Sequence, residues 1–156
     1  MAKGQYSEAA EKFDELGSYE EATKLSMYCK AAAAGENGDF QTVLSTFELL
    51  GDYKESQMML TYYSARREES NSASMGDYAW QYNLRAATIY DTIALFQDSK
   101  DRAENCRKAA YDQAVLSAES ENYELSVAIL NELGSYNDMS PPCSATPAMR
   151  RCITPA

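Results

Sequence analysis

The sequence predicts an all-α protein, an array of antiparallel helix pairs with about three and a half units. Three observations carry that expectation. Apolar residues recur at spacings of three and four, as they do along one face of a helix. Strand signals are absent. One motif also returns along the chain at fixed shifts, and repetition at periods of roughly 20 to 50 residues marks stacked arrays.

The motif runs aromatic, small, large apolar, turn, second aromatic. In the first unit it is Tyr6, Ala9, Phe13, Leu16, Gly17, Tyr19 and Ala22. Every position moves by 34 in the second unit: Phe40, Val43, Phe47, Leu50, Gly51, Tyr53 and Ser56. A third unit keeps the later half as Tyr90, Ile93, Ala94, Phe96 and Ser99, shifted by a further 43. The fourth is Tyr123, Ser126, Leu130, Leu133, Gly134 and Tyr136, shifted by 117 from the first. Cys29, Tyr63 and Cys106 occupy one slot of this repeat, so both cysteines are expected to be buried packing residues without metal. Core packing is likewise expected for the tyrosines in repeat slots, Tyr6, Tyr19, Tyr53, Tyr90, Tyr123 and Tyr136.

Seven helices follow, near 5–16, 19–34, 39–50, 53–69, 77–93, 96–119 and 121–133. Tyr6, Ala9 and Phe13 line the first stripe, and Phe40, Val43 or Leu44, and Phe47 line its copy. Gly17 and Gly51 sit where helices end, because glycine accepts the left-handed conformation that closes them. Ser18 and Asp52 then read as N-caps, with Glu21 and Glu55 completing capping boxes. Residues 1–138 form one domain and 139–156 an irregular tail. All four prolines lie in the tail (Pro141, Pro142, Pro147, Pro155), which also has two arginines and no acid. Too few large apolar side chains are present there to offset the ordering of the chain, so the tail is expected to add nothing to the fold.

Composition narrows the function. The 156 residues carry 14 Lys and Arg against 24 Asp and Glu, a formal charge of -10. Nucleic acid and anionic membrane surfaces are disfavoured by that balance. No apolar run is long enough to span a bilayer and the N-terminus lacks a secretory h-region, which makes cytoplasmic location the default. There are four cysteines in no CxxC pair and no histidine, so the usual zinc spacings and histidine-dependent triads are missing. Phosphate-binding glycine loops and calcium loops are missing as well. Acids such as Glu11, Asp14, Glu15, Glu20 and Glu21 read as a solvated helix face. No catalytic, cofactor or metal residue is assigned.

"KGQYSEAAEKF" resembles the second helix of a tetratricopeptide repeat through Gly4, Tyr6, Ala9 and Phe13, and Gly38, Phe40, Val43 and Phe47 repeat the pattern. The shift of 34 residues equals that family's period. With its "LG-x-Y-x-E/D-S" turns, residues 4–138 are similar to degenerate arrays common in multi-domain bacterial proteins. The chain departs from the family in three ways: the intervening helices lack its Trp and Leu-Gly pair, no Pro closes the units, and unit three carries extra residues.

The resemblance implies an inner groove lined by the second, fourth and sixth helices. Tyr28 and Tyr62 share one register there, with Asn105 as their third-unit equivalent. Together with Met27, Met58, Thr61 and Asp101 they form the expected partner-facing surface, since amphipathic tyrosine is favoured at interfaces. The expected function is non-enzymatic binding of a neutral or basic protein or peptide segment, within a piece of a larger protein. Self-association through the open end of the array is a further expectation. A structural spacer is the alternative and an all-α hydrolase a remote one.

Overall fold

The computed structural model describes residues 5–17 and 19–134. Within them lie seven α-helices: α1 (Gln5–Glu15), α2 (Glu20–Glu36), α3 (Phe40–Leu50), α4 (Ser56–Ser72), α5 (Ala79–Asp91), α6 (Ser99–Glu119) and α7 (Tyr123–Leu133). A 3-10 turn, Gly76–Tyr78, leads into α5. No strand occurs among the described residues. The expected tail 139–156, Ser18 and Tyr136 lie outside them.

Each helix packs chiefly on the helices before and after it in sequence. The main core joins α2 to α6 and centres on Val43, Phe47, Tyr62, Tyr63, Tyr90 and Cys106. A smaller cluster, Ala110, Ala114 and Ile129 with Trp80, Leu84 and Leu133 against it, joins α5, α6 and α7. Helix-period stripes produce both. Val43 and Phe47 are fully buried one turn apart on α3, as are Ala110 and Ala114 on α6. Cys29 and Cys106 are both buried with free thiols.

The turns repeat as geometry. Gly17, Gly51 and Gly134 all have positive φ, but Gly51 and Gly134 combine it with ψ of -122° and -135°, a mirror-image extended conformation open to glycine rather than the expected left-handed helical one. Between α3 and α4, Lys54 has φ 50°, and 43 residues on, between α5 and α6, Gln97 has φ 49°. Ser56 N–H donates to Tyr53 C=O at 3.0 Å, and Ser99 N–H to Phe96 C=O at 3.1 Å. Both serines are completely buried.

Those turns correct the expected caps. Helix α4 begins at Ser56 rather than 53, so Asp52 does not cap it, and Glu55 precedes it without a side-chain cap bond. Tyr19 precedes α2, also without one. Lying outside the helix, Tyr19 is 77% exposed instead of packed, and the buried stripe starts at Ala22. Tyr123, the first residue of α7, is exposed too; Tyr90 is fully buried, while Tyr6 and Tyr53 are half-buried. Side-chain caps appear at other helices. Asp39 accepts from Thr42 N–H at 3.2 Å, and Asn122 from Leu125 N–H at 3.3 Å.

Candidate interaction surface

The shared register of Tyr28 and Tyr62 does not yield a shared surface. Tyr62, on α4, is 4% exposed. Its ring meets Tyr63, Tyr90 and Phe96 at centroid distances of 5.3, 5.8 and 6.0 Å, all edge-on. The turn into α6 closes over it, and its hydroxyl donates to Asp98 Oδ1 at 2.7 Å. Tyr62 is therefore a core residue, and its expected place facing a partner is corrected. Tyr28 is half-buried, edge-on to Phe47 at 5.3 Å, with its hydroxyl pushed up to about 12 by burial and by Glu55. Among the remaining expected residues, Met58, Asp101 and Asn105 are exposed, and Met27 and Thr61 are half-buried. Met27 lines a shallow recess of about 450 Å³ between α2 and α3 with Thr23, Lys24, Leu49 and Leu50.

Tyr62 belongs to a polar cluster joining α4, α5 and α6. Arg102 Nε donates to Asp98 Oδ2 at 2.9 Å and to the Tyr62 hydroxyl at 3.2 Å. Its Nη1 donates to Glu69 at 3.0 and 3.2 Å, and the Tyr90 hydroxyl donates to Glu69 Oε2 at 2.8 Å. Burial alone would raise the Asp98 carboxyl, but hydrogen bonds from Tyr62 and Arg102, with the guanidinium charge, hold it below the ordinary range. Burial and the bond to Glu69 push the Tyr90 hydroxyl far up. Burial, then Glu69, raises the Cys106 thiol to about 12, so the sulfur stays protonated and is a poor nucleophile at neutral pH. The cluster is consistent with a structural tie between helices.

A roomier open cleft lies elsewhere. About 860 Å³ separates α5 from the end of α7, above Arg107 of α6. Trp80, Leu84, Ile89 and Leu133 supply apolar wall, while Glu68, Arg85 and Glu132 bring charge. Arg107 is held by Asp91. The indole Nε1 of Trp80 is buried without a hydrogen-bond acceptor among the described residues. Sequence reading missed this cleft because Trp80 falls in the extra residues of unit three, where no repeat slot exists to place it. The lone tryptophan of the chain was the available signal.

Among the described residues no group of three His, Cys, Asp or Glu side chains is placed to hold a metal ion, and no helix is long and apolar enough to cross a membrane. Of the acids on α1 and the start of α2, Asp14 is bonded to Lys30 at 2.7 Å and to Ser26 at 2.5 Å, and these bonds lower its carboxyl. Comparison with protein-family models, curated proteins and solved structures finds no match to this chain.

Proposed function

We propose that this chain is a tetratricopeptide-like helical-repeat module that binds a segment of another protein without chemistry of its own. The observation that carries this reading is the open α5–α7 cleft, apolar along its wall and mixed in charge at its rim. Ligand sites combine an apolar surface with a few placed polar groups, and helix pairs stacked in one dimension extend such surfaces. The recurrence of the Lys54 and Gln97 turns supports the stacked antiparallel arrangement, because equal turns reproduce equal helix pairs.

The test is selection of peptides from a random display library against the full chain. A family of sequences sharing one pattern is expected, with micromolar affinity that falls in Thr88→Arg, an exposed cleft position. Absence of enrichment would contradict this reading. It would favour the second one, a spacer, for which the aromatic and ionic ties running from α2 to α6 supply the rigidity.

A further inference from the structure

We infer that the corner where α5 begins, α6 ends and α7 begins docks a cationic amphipathic protein segment. The inference shares with the proposed function only the premise that the chain binds proteins, and it places a partner on a different surface from the cleft.

The corner is built by the extra residues of unit three. In repeat register α6 matches α4 through residue 115 and then continues for another turn, 116–119. The 3-10 turn before α5 is pinned against it. Gln113 Nε2 donates to the carbonyls of Gly76 and Asp77 at 3.2 and 3.1 Å. Leu116 lies three residues on, about one helical turn along the same side of α6. Its own carbonyl accepts from Ser120 N–H at 3.0 Å, and Ser117 C=O accepts from Asn122 N–H at 2.8 Å, which turns the chain directly into Tyr123.

These contacts fix the adjoining ends of α5, α6 and α7, and each end carries one large side chain that is left in solvent. Tyr78 is 65% exposed, Leu116 62% and Tyr123 41%. Exposed side chains on backbone held by hydrogen bonds offer apolar surface that needs little further ordering on binding.

Charge selects the occupant. Asp77, Glu119, Glu121 and Glu124 lie within three residues of Tyr78, Leu116 or Tyr123 in sequence, all exposed and none in an ion pair among the described residues. Residues 71–84 and 109–134 contain no Lys or Arg. The last turn of α6 also has no basic residue, so the negative end of its dipole is uncompensated and favours an incoming cation. Apolar contact inside an acidic rim fits a segment that presents Leu- or Phe-like side chains flanked by Lys or Arg. Nucleic acid and anionic lipid surfaces are repelled by the same rim.

Fluorescence anisotropy with the full chain and a labelled Leu/Lys amphipathic helix tests this. Saturable binding is expected, weaker by at least about tenfold in Leu116→Ser/Tyr123→Ser and in Glu119→Gln/Glu121→Gln/Glu124→Gln, and unchanged in Thr88→Arg. A Leu/Glu helix and oligolysine should each bind at least about tenfold more weakly than the Leu/Lys helix. Unchanged affinity in the corner variants overturns the inference. If Thr88→Arg alone abolishes binding, the corner falls and the cleft reading stands. If no peptide binds and the display selection is also empty, both fall. A dimer that dissociates in Leu116→Ser/Tyr123→Ser would make a second copy the occupant and overturn the cationic segment.

Discussion

Two junctions occupy the same slots of the repeat and are held by different physics. At the α2–α3–α4 junction Gly35, Phe47, Met59 and Tyr63 are all buried. At the α4–α5–α6 junction the same slots hold Glu69, Tyr90, Arg102 and Cys106. The exchange is a matched set. Gly35 leaves room for the Tyr63 ring, and a Cβ there would overlap it. Cys106 is far smaller than Tyr63, and Glu69 takes the place of the glycine. Tyr90 adds to Phe47 the hydroxyl that reaches Glu69, and Arg102 replaces Met59 with the group that answers it. One backbone arrangement thus accepts either a close-packed apolar contact or a satisfied polar network. Partial exchange should be worse than either, because a half-satisfied network leaves polar groups without partners.

The largest effect is expected at the tight junction. Gly35→Ala gains helix propensity of about 1 kcal/mol but forces the buried Tyr63 ring from its stack on Phe47. A net loss of about 2 kcal/mol in denaturant unfolding is expected, and a gain in stability would show that the ring relocates freely. Arg102→Met comes next. It restores the apolar residue of the other junction while leaving the Glu69 and Asp98 carboxylates without their cation, at a cost of about 1–2 kcal/mol. That is below the value for a fully buried pair because Arg102 and Glu69 keep 27% and 32% of their side-chain surface in solvent. Adding Glu69→Gln should cost less than the sum of the single changes, and strict additivity in the double-mutant cycle would mean that the two side chains are not coupled.

Tyr90→Phe removes one hydroxyl donor and is expected to cost about 1 kcal/mol by the same assay. The smallest effect concerns acid. The folded-state pKa of Asp98 is depressed, so its contribution is present above the unfolded value and lost as pH falls through the folded one. Unfolding free energy should therefore decline below about pH 4, and Asp98→Asn should flatten that decline by under about 1 kcal/mol, since the side chain is 49% exposed. An unchanged acid limb in the variant would remove Asp98 from the network.

Much of this comparison was legible in the chain. The three- and four-residue spacings gave the helices, and glycines 17 and 51 marked their ends, because both signals depend on local backbone geometry. The fate of a polar ring did not follow from its register. Tyr28 and Tyr62 stand 34 residues apart in equivalent slots, yet Asp98 and Phe96 close over Tyr62. That outcome is set by the side chains of the next unit. Tyr19 failed for a different reason. Helix α2 begins at Glu20, one residue after it, which removed it from the helical stripe, and the Gly-Ser-Tyr sequence fits several turn lengths. Trp80 lay outside the repeat, so no periodicity pointed to the cleft.

Trp80 is the single tryptophan of the chain, which makes it a built-in reporter of that cleft. The decisive measurement is its fluorescence during titration with a peptide selected against the full chain, made in parallel on Thr88→Arg. Occupancy of the cleft predicts a saturable shift in indole emission that follows the calorimetric binding curve and moves to higher concentration in Thr88→Arg. Calorimetric binding with unchanged Trp80 emission, and with equal affinity in the variant, would contradict the assignment of the cleft as the binding surface.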